Sequence, residues 1–336
     1  MSWLDERYLV TGASGFLGRA LIRRLTDLGV RRIVALARNA AGLQALRVIA
    51  PGIELVVGDI ADPVICARAF VGGLSGVFHL AAFKHVGLAE AHALSCVTTN
   101  VIGTLNLLCE SRRLDGENAQ FFAFISTDKA AQSRGVYGAT KALCERLVAE
   151  FAKMDYRIRP GQLTTRYFSL RYGNVWGSTG SVATLWEPIL RAGGEITVTD
   201  PDATRYFFTV DDAVDLILTH VGLGTDGLVI PKMQAIRMGD VAEACQRTWG
   251  RGTVRVTELG AGESKHETLD GVTFSDAAPQ FTVEAFVNKF LRLSSKCLRP
   301  ARSDDARFLF DLKNDETVRR FSIASREPIP WNGHVK

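Results

Sequence analysis

Predominantly apolar runs recur along the first half of the chain, at residues 8–10, 32–37, 53–57, 76–80, 121–126 and 169–171. Their length and composition predict short strands buried on both faces. Helical patterns lie between several of them, at 16–28 (closed by Gly29), 95–111 and 138–153. Apolar strands alternating with helices read as parallel βαβ units. The fold class is therefore α/β, a Rossmann-type doubly wound parallel sheet whose ligands gather at the carboxyl ends of the strands. After residue 172 the alternation loosens into loops containing Gly and Thr, with short elements at 228–230 and 253–258. This predicts a cofactor-binding domain over 1–172 and a smaller substrate-binding region over 173–293, interleaved with the first.

Composition narrows the class. A chain of 336 residues, 47% hydrophobic and 23% charged, can bury a large core. The formal charge of +4 permits an anionic small-molecule ligand, but there is no basic stripe of the kind nucleic acid requires. No run of about eighteen apolar residues predicts a membrane span. The opening Met1-Ser2-Trp3-Leu4-Asp5-Glu6-Arg7 carries acidic residues and no apolar core, so no secretory signal is expected. Six scattered cysteines without a C-x-x-C pair suit thiols in a reducing cytoplasm, and no His or Cys spacing suggests a metal site.

The first candidate chemistry follows the first strand, where Thr11-Gly12-Ala13-Ser14-Gly15-Phe16-Leu17-Gly18 joins it to the first helix. Gly12 allows a tight turn, Gly15 lets backbone approach a pyrophosphate, and Gly18 lets helix pack close to strand. Ser14, Phe16 and Leu17 complete this dinucleotide turn. The second strand ends at Arg38, where NAD-specific turns place an acidic residue. An arginine there pairs with a 2′-phosphate, which favours NADP over NAD. Asp59 and Ile60 after the third strand are candidate adenine contacts. Ala81 and Ala82 after the fourth would lie along the cofactor, and Lys84 and His85 would reach the sugar or the cofactor. Tyr137 and Lys141, four apart at the start of a helix, project from one face. A nearby ammonium and a positive nicotinamide would bring the tyrosine below its usual value near 10.

With these features in place, the chain resembles the extended short-chain dehydrogenase/reductase superfamily, and most of all its UDP-N-acetylglucosamine 4,6-dehydratases of the polysaccharide-biosynthesis group. The resemblance spans residues 7 to 292 and rests on six stretches. They are Ala81-Ala82-Phe83-Lys84-His85-Val86, Thr99-Asn100-Val101-Ile102-Gly103-Thr104, Ser126-Thr127-Asp128-Lys129-Ala130-Ala131, Arg171-Tyr172-Gly173-Asn174-Val175, Thr204-Arg205-Tyr206-Phe207-Phe208-Thr209 and Gly262-Glu263-Ser264-Lys265-His266-Glu267. It implies Asn100 among the cofactor contacts, and Lys84, His85, Asn174, Ser181, Arg205 and Glu263 among the substrate contacts. It also implies a catalytic set of Thr127, Asp128, Lys129, Tyr137 and Lys141.

In that scheme Tyr137 takes the 4-hydroxyl proton while hydride passes to the cofactor. A neutral Lys129 removes the carbon-5 hydrogen, a protonated Asp128 gives its proton to the departing 6-hydroxyl, and Thr127 hydrogen-bonds the 4-oxygen. Burial would have to lower the lysine and raise the aspartate. Tyr137 resembles the short, soluble type that inverts carbon 5. Two stretches depart from the family: Thr179 replaces an arginine in Gly177-Ser178-Thr179-Gly180-Ser181, and Gln132-Ser133-Arg134-Gly135 replaces a turn with proline and asparagine. The rival readings are an epimerase, which needs no Asp-Lys pair, a reductase, which consumes NADPH, and a non-catalytic NADP-binding regulator. Relatives form a four-helix dimer contact through the helices at 95–111 and 138–153, which implies a homo-oligomer.

The last forty-odd residues, 294–336, do not fit the dehydratase pattern. Leu298-Arg299-Pro300-Ala301, Ser303-Asp304-Asp305-Ala306-Arg307-Phe308-Leu309 and Pro328-Ile329-Pro330-Trp331 resemble the opening of a GNAT-type N-acetyltransferase. They are too few for an acetyl-CoA site, so no acetyltransferase activity is expected. The resemblance implies either a fragment of a bifunctional protein or a repurposed appendage.

Overall fold

In a computed structural model describing residues 6–112, 120–158, 165–260 and 263–292, the apolar runs become the strands of a seven-stranded parallel sheet. The first six strands are β1 (Arg7–Thr11), β2 (Arg32–Ala37), β3 (Glu54–Val57), β4 (Gly76–His79), β5 (Phe121–Ile125) and β6 (Arg166–Leu170). Six more follow: β7 (Asn174–Val175), β8 (Glu195–Val198), β9 (Thr204–Phe208), β10 (Gly227–Val229), β11 (Ala235–Arg237) and β12 (Thr253–Val256). The main sheet runs β10-β6-β5-β4-β1-β2-β3, so the winding reverses between β1 and β4. A crevice opens at such a switch point.

Period-two alternation along the strands builds a core on each face of the sheet. Tyr8 and Val10 of β1 pack with Phe78 and Phe121 beneath the helices Phe16–Asp27 and Val210–Leu223. Leu9 points the other way, to Phe122, Phe124 and Tyr167, under the helices Pro63–Phe70, Gly103–Arg112 and Gly135–Ile158. A separate aromatic core holds the smaller region together, with Trp176 edge-on to Phe286 at 5.0 Å and Phe286 against Phe290 at 4.5 Å. That region carries the sheets β11-β9-β7 and β12-β8, yet it returns β10 and the helix Val210–Leu223 to the main sheet.

Three boundaries differ from the sequence reading. Strand β6 begins at Arg166 rather than Ser169, because Tyr167 and Phe168 fill opposite cores. The long helix starts at Gly135 rather than Gly138. The helix predicted at 95–111 divides into Ala93–Val97, a π-helical turn Thr98–Ile102 and Gly103–Arg112. Asn100 causes the irregularity, since its side chain is drawn out to bond the backbone of Phe83. Among the described residues no helix is long and apolar enough to cross a membrane. The acetyltransferase-like stretches at 298–331 lie outside the described residues.

Candidate active site

The glycine turn is shaped by close approach. Gly12 has φ +66°, and a Cβ there would lie 2.8 Å from the amide nitrogen of Ala81. A Cβ on Gly18 would lie 2.5 Å from the carbonyl oxygen of Gly12. Gly15 stands at the N-cap of Phe16–Asp27 without a side-chain cap, so the first amides of that helix are free to meet an anion. Thr11 fixes β1 to β4: its hydroxyl accepts from the amides of Leu80 (3.2 Å) and Ala81 (3.1 Å) and lies 2.8 Å from His79 Nδ1. His79 Nε2 continues to the Thr104 hydroxyl at 2.8 Å. A dinucleotide pyrophosphate fits this cradle, because the uncapped start of the helix Phe16–Asp27 lines the crevice.

At the far end of the turn, Arg38 Nη1 lies 3.5 Å from Asp59 Oδ2. On the other side, Lys84 Nζ donates to the Thr179 carbonyl at 2.7 Å, and Gly180 packs on the ring of His85. These contacts hold the loop 177–181 over the cleft. Asn174 donates to the Tyr206 carbonyl at 3.2 Å, and Glu263 accepts from the amide of Gly260 at 3.1 Å. Ser181 ends the loop at the start of the helix Val182–Arg191, its hydroxyl buried without a hydrogen-bond partner.

The catalytic candidates follow β5. Thr127 donates to Asp128 Oδ1 at 2.8 Å, and Lys129 reaches the same oxygen through its amide (2.9 Å) and its Nζ (3.1 Å). Lys129 Nζ also donates to Glu267 Oε1 at 2.9 Å, which lies 3.4 Å from Arg205 Nε. Tyr137 and Lys141 rise from the first turns of Gly135–Ile158. A cavity of about 830 Å³ runs from the glycine turn past these groups to Glu263. It gathers every residue expected at the site except Asn100, which stands behind the wall. There Asn100 accepts from the Phe83 amide at 2.7 Å and donates to Thr140 at 3.0 Å, supporting the segment after β4.

A family described as "Polysaccharide biosynthesis protein" matches residues 8–285. The chain belongs to this family. Among its relatives, an uncharacterised membrane protein of Methanocaldococcus jannaschii is 36% identical over 242 residues, 71% of this chain and 70% of the relative. A UDP-glucose 4-epimerase of Rickettsia akari is 30% identical over 275 residues, 80% of this chain and 78% of the relative. Pen of Bacillus thuringiensis has the same fold at 25% identity with a TM-score of 0.77, covering 87% of this chain and all of that one. A dTDP-glucose 4,6-dehydratase of Streptomyces venezuelae, solved with NAD bound, matches at 23% identity and a TM-score of 0.69, covering 87% of this chain and 97% of that one.

Electrostatics separate this family member from two expectations. Burial and the carboxylate of Glu267 raise Asp128 to about 7, in the direction expected from the sequence. Lys129 moves the opposite way from a neutral base. Burial opposes its charge, but Asp128 and Glu267 outweigh burial and hold it as an ammonium above the usual lysine range. Tyr137 is also raised, to about 12, by burial; Lys129 and the Thr127 hydroxyl pull it back in part. Lys141 does not meet the phenol. Its Nζ donates to the Ile125 carbonyl and sits 3.9 Å from the Phe124 ring centre, and burial lowers it to about 8.

Glu267 was missed as a site residue. It closes the Gly262-to-Glu267 stretch and is 7% exposed, yet only folding brings it to Lys129. Beneath the site, Arg171 and Glu145 form a buried ion pair that also accepts the hydroxyl of Ser126 at 2.5 Å.

Proposed function

We propose that the chain is an NADP-dependent nucleotide-sugar 4,6-dehydratase acting on UDP-N-acetylglucosamine or a close UDP-N-acetylhexosamine. The product is a UDP-4-keto-6-deoxy sugar inverted at carbon 5. The observation that carries this reading is the buried Asp128, raised to about 7, in one cavity with the glycine turn and Tyr137. An acid still partly protonated at neutral pH suits the departure of a hydroxyl group. A 4-epimerase has no such step.

Each residue then has a task. The glycine turn holds a pyrophosphate, and Arg38 meets a 2′-phosphate. Bound nicotinamide would supply a hydride acceptor for carbon 4 and a hydride donor for carbon 6. Tyr137 takes the 4-hydroxyl proton with Thr127 beside it, and Asp128 gives its proton to the leaving 6-hydroxyl, releasing water. Lys129 serves carbon 5 as a base after its ammonium passes a proton to the Glu267 carboxylate 2.9 Å away. Arg205, Asn174 and Ser181 hold the nucleotide diphosphate.

The test is incubation with UDP-N-acetylglucosamine and catalytic NADP⁺ in D₂O, followed by mass spectrometry and proton NMR. Loss of one water with deuterium at carbon 5 is the expected result, and the coupling constants read inversion or retention. An intact mass with a changed carbon-4 configuration would establish the second reading, a 4-epimerase, which the Rickettsia akari relative supports.

A further inference from the structure

The two buried carboxyl groups beside Lys129 are satisfied on one oxygen each. Asp128 Oδ1 accepts from the Thr127 hydroxyl, the Lys129 amide and Lys129 Nζ, at 2.8, 2.9 and 3.1 Å. Glu267 Oε1 takes Lys129 Nζ at 2.9 Å and faces Arg205 Nε at 3.4 Å. Asp128 Oδ2 and Glu267 Oε2 are buried with no donor at all. One ammonium, Lys129 Nζ, bridges the two side chains at 3.1 and 2.9 Å, which sets the carboxyl groups side by side. Two carboxylate oxygens cannot bond each other, and leaving both bare in a buried site is costly. One proton between them removes both deficits.

We propose that Glu267 is the positioning residue of this site: it shares one proton with Asp128, which keeps Asp128 in its acid form, and it anchors Lys129 and Arg205 on its other oxygen. The proposal rests on the dehydratase reading for its catalytic consequence, but not for the shared proton itself. Facing the pair are Thr127, Lys129, Arg205, Tyr137 and Tyr206. Burial raises both carboxyls, Lys129 draws protons off both and Arg205 off Glu267, and the negative Glu267 adds to burial in favouring a proton on Asp128. Arg205, which acts on Glu267 and not on Asp128, then assigns the charge to Glu267 and the proton to Asp128.

The shared proton is read without turnover, in the infrared difference spectrum of wild type minus Asp128→Asn near neutral pH. A protonated-carboxyl band is expected in wild type. It should be absent at that pH in Glu267→Gln, whose amide donates to Asp128 Oδ2 and makes the proton unnecessary. It should return in part in Glu267→Asp. A band that survives unchanged in Glu267→Gln, or a wild-type band already lost by about pH 5, where an ordinary carboxyl is ionised, overturns the proposal. The wild-type titration decides the matter even if Glu267→Gln does not fold.

Turnover gives the catalytic half. In Glu267→Gln the limb of kcat that falls as pH rises should move at least about one unit lower, with kcat near neutral pH down about 100-fold. A uniform drop with the limb unmoved would make Glu267 merely structural. If wild type dehydrates no nucleotide sugar while the band behaves as expected, the functional reading fails and the shared proton stands.

Discussion

Arg38, at the end of β2, forms an ion pair with Asp59, after β3, at 3.5 Å across the mouth of the cavity. The arginine side chain is 63% exposed and the aspartate 37%, so the pair contributes at most about 1 kcal/mol. Turning Arg38 to a 2′-phosphate would therefore cost little. Arg38→Ala should weaken NADP about 10- to 100-fold and leave NAD almost unchanged, measured by titration calorimetry with each cofactor. Equal losses for both would remove Arg38 from phosphate recognition.

Gly18 and Gly15 should fail differently when given a methyl group. A Cβ on Gly18 would lie 2.5 Å from the Gly12 carbonyl and 2.7 Å from that of Ala13, both backbone atoms that cannot swing away. Gly18→Ala should therefore cost about 2 kcal/mol of stability whether or not cofactor is present. On Gly15 the nearest approach is 3.0 Å, at ordinary φ, so Gly15→Ala should fold and lose dinucleotide affinity instead. Thermal melts with and without NADP⁺ separate the two. A Gly15→Ala melt lowered as much as that of Gly18→Ala would contradict the assignment of Gly15 to the phosphate.

How much of this was legible in the sequence depends on where the partners of each residue lie. Strands β1, β2, β4 and β5 are buried over most of their length, so apolar residues dominate them and they stand out. The glycine turn and Thr127-Asp128-Lys129 sit beside such strands and inherit that clarity. Strand β12, exposed along its whole length, was still read as a short element at 253–258, whereas β7 has two residues and leaves no pattern. The helix Val182–Arg191 contains Pro188, which argues against a helix when read locally. The protonation of Lys129 was illegible for a different reason. Its second carboxylate comes from Glu267, 138 residues further on, and no local spacing announces that encounter.

His79 makes acid a specific stress on the fold. It is 1% exposed and bonded at both ring nitrogens, to Thr11 and Thr104. Burial, then the ammonium of Lys141, lowers it from 6.5 to about 3. Between those values the unfolded imidazole binds a proton that the folded one refuses. Stability present above pH 6.5 is therefore lost as pH falls toward 3. His79→Asn should cost about 1–3 kcal/mol at pH 7, because the two hydroxyls lose partners, yet lose less on further acidification. Urea unfolding at a series of pH values gives both numbers. Parallel curves for the two proteins would show that His79 does not govern the acid limb.

Lys129 links the two halves of the proposed chemistry, because its ammonium touches Asp128 and Glu267 and also influences Tyr137. Lys129→Ala removes the base at carbon 5, while the glycine turn, Tyr137 and Thr127 stay in place. With UDP-N-acetylglucosamine it should still oxidise carbon 4, seen as absorbance of the reduced cofactor, while loss of water falls at least about 100-fold. The variant also leaves two buried carboxyl groups without their shared cation, so a stability loss of about 3 kcal/mol is expected, and cofactor binding must be checked alongside. Unchanged dehydration would remove Lys129 from the mechanism. Loss of oxidation as well, in a protein that still folds and binds NADP⁺, would place the main effect of Lys129 on Tyr137, whose phenolate it stabilises, and the base at carbon 5 would have to be another group in the cavity.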